Sequence, residues 1–349
     1  MSHLSRYTDT IRYPHLIEAA PNLVLAQFEV MKLIPAEYII DRALERGELQ
    51  PGGTVLEVSS GTFALALALV TRSRGLRLKL VTIDIDACLL WRLRSLGAEV
   101  HVVREPDASG SIQKTQLAIL QRLQEETPGA YWCAQYRNPD NPRSYRGLAD
   151  DLRARLGRID VLVGTVGTGG SVSGTSAALR PHLPALTTVG VDSPYSVTFV
   201  GCGEAADPAC KFYMDNMLGL GSRVDIPVMD HTEFDEVHWV PFRAMVAAAH
   251  DLHMRTGLLI GPTGGAAYLV ARAIAAQRPE ARVLAMLPDT GLRYVGSVYE
   301  PGFVERLGIT PAHAEGRPRV IGDIAEIGPG WCSFPWARAE KRTLAALAA

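Results

Sequence analysis

The chain lacks an excess of charge of either sign, and it lacks a long apolar run. Its 349 residues contain 35 Lys and Arg against 37 Asp and Glu, which gives a formal net charge of −2. No broad basic surface is available for a polyphosphate backbone, so we expect no nucleic-acid partner. The longest apolar stretch, residues 64–70, is far too short to cross a bilayer, and the first residues have no apolar core of signal-peptide type. We therefore expect a cytoplasmic protein with no membrane partner.

Cysteine is sparse, and repeats are absent. The cysteines are odd in number and widely spread, and none forms a Cys-x-x-Cys pair or joins histidines at metal-ligand spacing. We expect reduced, mostly buried thiols and no metal site. The cysteines are Cys88, Cys133, Cys202, Cys210 and Cys332.

Short runs rich in β-branched residues or leucine alternate with helical patterns along the chain. This alternation predicts parallel sheets wrapped by helices. The predicted strands are 54–58, 78–84, 98–103, 161–166, 187–192 and 282–288, and the predicted helices cover 36–47, 65–70, 88–96, 115–123, 242–252 and 266–276. The composition changes late, where 301–330 becomes rich in Gly and Pro and the apolar residues Trp331, Phe334 and Trp336 follow. We treat 305–349 as an extension to the core. Its aromatic residues are expected by default to complete the large domain, since aromatic clusters are usually core. The alternatives are that they cover the active site or pack on a second subunit.

Three glycine- and hydroxyl-rich turns each join a predicted strand to a predicted helix. They are 59–62 (SSGT), 167–171 (GTGGS) and 261–267 (GPTGGAA). Such turns present backbone N–H groups to anions, although an ordinary tight turn or a helix cap would have the same composition. The dinucleotide pattern GxGxxG fails at Val172 and no Walker motif occurs, so a single phosphate is favoured over a pyrophosphate.

Five ordered motifs resemble the cysteine synthase and cystathionine β-synthase family of pyridoxal-phosphate (PLP) enzymes. Besides GTGGS, they are SSGT preceded by Glu57, AQYRNPDNP at 134–142, GLLIGPTGGAA at 257–267 and LPDTGLRY at 287–294. Together they cover roughly residues 30–295. The resemblance implies an α/β architecture of two domains, fold type II and similar to the tryptophan synthase β subunit, in which each domain is an open, twisted, mostly parallel sheet flanked by helices.

The resemblance also implies a division of the chain. The smaller, substrate-binding domain would cover 33–140, and the larger, PLP-binding domain 1–32 with 141–304. A homodimer is implied as well.

The family register identifies Lys32 as the lysine that forms the Schiff base with PLP, because it precedes Pro51-Gly52 at the family's spacing. Its apolar neighbours in 30–34 would disfavour the ammonium form and keep the amine nucleophilic. Outside that register, a solvated lysine would be the default interpretation.

Further site residues follow from the same resemblance. The cofactor-binding residues would be Lys32, Thr62, Gly167, Thr168, Gly169, Gly170, Ser171 and Thr263. The residues that bind the substrate carboxylate would be Ser59, Ser60, Gly61, Thr62 and Gln135. Thr263 matches the hydroxyl that faces the pyridine nitrogen in this family, and a neutral hydroxyl cannot keep that nitrogen protonated as a carboxylate would.

The implied reaction is β-replacement on an activated serine- or cysteine-like amino acid by a small nucleophile, through an aminoacrylate intermediate. Thr62 stands where the family has Asn, and 26–31 (AQFEVM) replaces the family's approach to the lysine. These departures favour a specialised relative over housekeeping cysteine synthesis. The alternatives are a β-eliminating lyase of the cysteine desulfhydrase or serine dehydratase type, a non-catalytic homologue that binds PLP or a partner protein, and a nucleotide-binding oxidoreductase.

Overall fold

The computed structural model describes residues 3–108, 112–199, 219–222 and 224–341. It divides into two compact units. The first consists of Met1–Tyr13 and Val30–Ser144, and the second of Pro14–Glu29 and Tyr145–Ala349. The domain boundaries proposed from the sequence, and the roles assigned to the two domains, stay predictions.

The first unit contains a four-stranded parallel sheet in the order β5-β4-β3-β6. Its strands are β3 Thr54–Val58, β4 Arg77–Ile83, β5 Glu99–Val103 and β6 Tyr131–Trp132. Its helices are α1 His3–Ile11, α2 Leu33–Glu45, α3 Thr62–Ser73, α4 Ala87–Ser95, α5 Ile112–Glu126 and α6 Asp140–Arg143. Helix α3 is apolar on all sides and buried along most of its length, which is typical of a helix packed inside a core. It shares one hydrophobic cluster with α2, β3 and β4.

The second unit contains an eight-stranded mixed sheet in the order β1-β2-β10-β7-β8-β9-β12-β11. Its strands are β1 His15–Ala20, β2 Leu23–Gln27, β7 Val161–Thr165, β8 Thr187–Asp192, β9 Glu236–Trp239, β10 Val283–Leu287, β11 Arg319–Val320 and β12 Cys332–Pro335. Its helices are α7 Arg146–Leu156, α8 Gly170–Leu179, α9 Phe242–Thr256, α10 Pro262–Gln277 and α11 Pro301–Arg306. The five neighbouring strands β2, β10, β7, β8 and β9 are parallel, and the pairs β1–β2 and β9–β12 are antiparallel.

The predicted α/β class and the six predicted strands are confirmed, with ends that shift by one residue at most. Apolar runs such as 161–165 are buried on both faces, as parallel strands between layers of helices require. The extension is not separate from this sheet, because its strand β12 pairs with β9.

Three of the cysteines lie in the described part of the chain, and all three are free thiols. Cys88 is exposed, whereas Cys133 and Cys332 are buried. The prediction was that most of the thiols are buried, and Cys88 is the exception among these three, on an exposed face of α4. Cys202 and Cys210 lie outside the described residues. Among the described residues, no helix is both long enough and apolar enough to cross a membrane.

Candidate active site

Lys32 directly precedes α2 and takes up the cap position of that helix with φ −66° and ψ −6°. Its side chain is half-buried, and the residues on either side, Met31 and Leu33, are buried. Burial lowers the pKa of Lys32 to about 8, because an apolar environment disfavours the charged ammonium. A substantial fraction of this amine is therefore neutral, and hence nucleophilic, at slightly alkaline pH.

The SSGT turn connects β3 to α3. Ser59 continues the pairing of β3 with β4 at the carboxyl end of the sheet, since its N–H donates to the Val81 carbonyl at 3.1 Å. The backbone bonds of α3 begin with the N–H groups of Ala64 and Leu65, which both donate to Gly61. The N–H groups of Thr62 and Phe63 come before that first turn, at the positive end of the helix dipole. This end of α3 has the chemistry to bind a carboxylate.

Gln135 follows β6 and lies at the same carboxyl end of the sheet as the SSGT turn, because β6 pairs in parallel with β3. It is 5% exposed, and its backbone carbonyl accepts a hydrogen bond from Asn141 Nδ2 at 2.8 Å. The preceding residue, Ala134, has φ 48°, a left-handed conformation that costs a non-glycine residue about 1 kcal/mol. The turn that presents Gln135 therefore needs outside support.

The carboxylate of Glu57 supplies that support. It is 2% exposed and accepts hydrogen bonds from the N–H of Val58 at 2.8 Å, from Gln135 N at 3.3 Å and from Trp132 Nε1 at 3.3 Å. Burial raises the pKa of Glu57 to about 7, against the hydrogen bonds that lower it. Sequence analysis assigned no role to Glu57. The available signal was an acidic residue inside an otherwise apolar strand, where an unpartnered carboxylate would be costly.

With Gln135 as the predicted ligand of the substrate carboxylate, Glu57→Gln is expected to raise the KM for an amino-acid substrate by about tenfold, which corresponds to roughly 1.4 kcal/mol. The amide has one accepting oxygen where the carboxylate has two, so the turn at Ala134 loses a support and Gln135 shifts. Steady-state kinetics and a PLP titration would test this, with PLP affinity expected to stay unchanged. Glu99→Gln, an exposed position in the same sheet, is the matched control. Equal effects of the two substitutions would contradict the assigned role.

Three buried carboxyl groups bind protons more tightly in the folded state than in the unfolded state. Burial raises the pKa of Glu57 and of Asp192 to about 7, and that of Asp289 to about 6. Each folded value lies above the unfolded one, so the stabilisation is complete at low pH and is lost as the pH rises through the folded pKa. For Glu57 alone the loss between pH 4.5 and pH 8 is at most about 3 kcal/mol.

The free energy of unfolding of the parent chain is therefore expected to fall more between pH 5 and pH 8 than that of Glu57→Gln. Urea unfolding at the two pH values would measure both changes. An equal fall in the two proteins would show that Glu57 is ionised in both the folded and the unfolded chain.

The GTGGS residues lead from β7 into the first turn of α8, and we call them the glycine turn (Gly167, Thr168, Gly169, Gly170 and Ser171). Gly169 caps α8 with φ 72°, and its carbonyl accepts the first helical hydrogen bond, from Ser173 N at 3.0 Å. The N–H groups from Gly170 to Val172 precede that bond, at a helix N-terminus of the kind that binds phosphate.

Two glycines of this turn, Gly167 and Gly169, are tightly walled. A Cβ atom on Gly167 would lie 2.8 Å from the Gly219 carbonyl oxygen, and one on Gly169 would lie 2.4 Å from Met229 Cγ. No larger residue fits at either position without movement of its neighbours. Nothing in the sequence pattern pointed to Met229, since the contact joins segments far apart in the chain.

Thr263 lies in the first turn of α10, which begins with Pro262 after Gly261. Its side chain is 3% exposed, and a Cβ atom on Gly219 would lie 3.8 Å from its Cγ2. Because Gly219 also adjoins Gly167, the structure brings Thr263 and the glycine turn to the same end of the sheet. The strands that lead there, β7 and β10, are parallel neighbours.

Asp289 is a second residue of this region that sequence analysis left without a role. Its side chain is buried behind Gly261, where a Cβ atom would overlap Asp289 Oδ1. Its Oδ2 accepts a hydrogen bond from the Tyr294 hydroxyl at 2.9 Å. The backbone carbonyl of Asp289 also accepts a hydrogen bond from Gly261 N at 3.2 Å, which joins the residue before α10 to the end of β10.

Comparison with known proteins gives a consistent result. A family model described as "Pyridoxal-phosphate dependent enzyme" matches residues 28–289. An N-(2-amino-2-carboxyethyl)-L-glutamate synthase from Ralstonia nicotianae is 31% identical over 315 residues, which cover 87% of this chain and 90% of the relative. The solved structure of an O-ureido-L-serine synthase is similar, with 27% identity and a TM-score of 0.72 over 84% of this chain and 94% of the other.

The fold is also shared with the O-acetylserine dependent cystathionine β-synthase of Helicobacter pylori. The TM-score is 0.72 at 24% identity, and the match covers 83% of this chain and 96% of that one. At this identity the similarity shows the fold alone.

Proposed function

Because this chain belongs to the pyridoxal-phosphate dependent enzyme family, we propose that it catalyses β-replacement on an activated serine- or cysteine-like amino acid, with Lys32 as the lysine that carries PLP. The observation that carries the assignment is the half-buried amine of Lys32 at the start of α2, whose pKa is lowered to about 8. An amine of this kind reacts with an aldehyde at the pH of the cell interior.

The residues present fit the cofactor. The glycine turn offers a helix N-terminus walled by Gly219 and Met229, which suits a single phosphate group. Thr263 offers a buried, neutral hydroxyl for the pyridine ring, and no charged partner is needed there. When bound, PLP supplies an electron sink for the carbon from which the proton is removed.

The side chains would then divide the work. The N–H groups and hydroxyls of Ser59, Ser60, Gly61 and Thr62 bind the substrate carboxylate together with Gln135, and this fixes the direction of the Cα–H bond. The Lys32 amine takes the Cα proton as general base. Glu57 and Asn141 orient Gln135, which restricts the bound amino acid to one pose.

The second part of the proposal concerns the identity of the nucleophile. The Ralstonia relative is named for a product in which a 2-amino-2-carboxyethyl group is joined to the nitrogen of glutamate. This favours an amine nucleophile, such as that of an amino acid, beside a thiol or sulfide. Thr62 in place of the family's Asn agrees with a specialised substrate, since a hydroxyl has a different reach from an amide.

The test is a product assay. The purified protein is expected to bind PLP covalently, and the colour should change when an amino-acid substrate is added. O-Acetylserine, O-phosphoserine, serine and cysteine would each be incubated with sulfide, a thiol or glutamate. Replacement consumes the nucleophile and yields a new β-substituted amino acid, whereas pyruvate and ammonia formed regardless of the nucleophile would show elimination instead. A protein that binds PLP but gives no product would show a non-catalytic homologue.

We also propose a homodimer, as the family resemblance implies. Light scattering of the PLP-loaded protein is expected to give twice the chain mass. A chain mass of 37.8 kDa at micromolar concentration would contradict it.

A further inference from the structure

The C-terminal segment, which we define as residues 332–341, lies beyond the region that the family model matches. Its strand β12 pairs with β9. Directly after this strand the Trp336 side chain is fully buried, and its Nε1 donates to the Ala339 carbonyl at 2.7 Å. The paired strand and the buried Trp336 therefore anchor the segment in the second unit, while the residues on either side of Trp336 are exposed.

The segment is bound firmly to residues 225–235. The N–H groups of Ala337 and Arg338 donate to the carbonyls of Asp235 and Phe234 at 2.9 and 2.8 Å, and Arg338 Nε lies 2.8 Å from Asp235 Oδ1. Lys341 forms an ion pair with Asp225. Ala337 and Arg338 have φ values of 53° and 59°, so these contacts hold a turn that residues other than glycine seldom adopt.

One chain of contacts leads from Trp336 to Gly169. The Trp336 ring lies 6.3 Å from the His231 ring, centroid to centroid. His231 follows Met229 by two residues, and its Nε2 is 2.9 Å from the Thr198 carbonyl oxygen. The Met229 side chain is the wall that Gly169 directly adjoins.

A second chain of contacts leads from Trp336 to Gly167. The Phe199 ring packs edge-on against Trp336, at 5.0 Å between centroids. Just before it, Val197 N donates to the Ser222 carbonyl at 2.8 Å. In the segment that contains Ser222, Gly221 N donates to the Val166 carbonyl at 2.6 Å, and the Gly219 carbonyl lies against Gly167.

We propose that Trp336 is a positioning residue for the glycine turn, and that the C-terminal segment thereby sets the affinity for the phosphate group of the cofactor. Glycines have no side chains to hold a turn in one conformation, so its geometry depends on the walls behind it. Trp336 contacts the His231 and Phe199 rings, and each of these rings leads to one of the two walls, Met229 and Gly219. The inference rests on the proposed function, in which the glycine turn binds that phosphate.

Trp336→Leu would test the inference, with Trp331→Leu as the matched control. Trp331 belongs to the same extension but packs against His238, to which its Nε1 donates at 3.1 Å. The apo form of each protein would be titrated with PLP and with pyridoxal, which lacks the phosphate. For Trp336→Leu the PLP affinity is expected to fall about tenfold, roughly the effect of weakening one charge-assisted hydrogen bond, while the pyridoxal affinity stays unchanged. Trp331→Leu should leave both affinities unchanged.

Lys341→Ala provides a milder second variant, because it removes only the ion pair with Asp225 at the surface. It is expected to lower the PLP affinity about two- to threefold, and it keeps the test valid if Trp336→Leu fails to fold. An unchanged ratio of PLP to pyridoxal affinity in the variants that fold would overturn the inference. Failure of the parent protein to bind PLP would overturn the proposed function, and this inference with it.

Discussion

Lys32→Ala is expected to abolish covalent binding of PLP and to lower kcat by more than about 1,000-fold, since one amine serves as both nucleophile and general base. The loss should be larger than that at any other position, because Ala has no group for either task. Absorbance spectra, mass spectrometry after borohydride reduction and single-turnover kinetics would measure it. In the parent protein, peptide mapping is expected to place the reduced adduct on Lys32.

Lys79→Ala is the matched control in the same unit. Lys79 lies on β4, where it pairs with Glu99 at 3.6 Å, and its loss should leave the adduct and turnover intact. Retention of a covalent adduct in Lys32→Ala would remove the basis of the proposed function. A loss of folding can be recognised separately by circular dichroism.

Gly169→Ala is expected to destabilise the fold by about 2–4 kcal/mol and to lower the PLP affinity at least tenfold. The positive φ of 72° costs an alanine about 1 kcal/mol. The overlap of its Cβ with Met229 Cγ, at 2.4 Å, adds about 1–3 kcal/mol. Met229 and the glycine turn must move apart to relieve the overlap, which displaces the N–H groups at the start of α8. Urea unfolding and PLP titration would measure the two losses.

Gly157→Ala separates the two causes. Gly157 ends α7 with φ 69°, but no atom lies within 4 Å of where its Cβ would be. Gly157 has ψ −67° where Gly169 has ψ −24°, so its backbone cost is at least as large, and we expect about 1 kcal/mol of destabilisation or more with no change in PLP affinity. An equal loss of PLP affinity in both variants would mean that the wall at Met229 is unimportant.

Six of the parallel strands could be predicted from the sequence because they are apolar runs between turn signals. Strand β8, for example, was predicted at its observed limits. The hairpin of β1 and β2 was missed, although Pro21-Asn22 between two short apolar runs is a turn signal. Strand β12 was missed because an aromatic cluster, Phe334 and Trp336, has the composition of a core and no strand periodicity.

The glycine- and hydroxyl-rich turns were predictable as motifs, whereas the residues that support them were not. Glycines and hydroxyls at fixed spacing identify the glycine turn and Thr263, but the walls made by Met229 and Gly219 depend on contacts between distant segments. Glu57 lies within a predicted strand, so only its burial and its three hydrogen-bond donors show that it supports the turn at Gln135. The catalytic and binding roles of these residues stay predictions that the substitutions above would test.

The division of the chain has a practical consequence for dissecting the protein. Neither unit is a continuous stretch, so the polypeptide passes from one to the other at 13–14, 29–30 and 144–145. A protease that nicks the backbone at any one of these crossings leaves two covalent tethers, and no N- or C-terminal truncation can isolate either half. Expressing the first unit alone would require a designed splice from Tyr13 to Val30, and Lys32 would then stand two residues from the new junction.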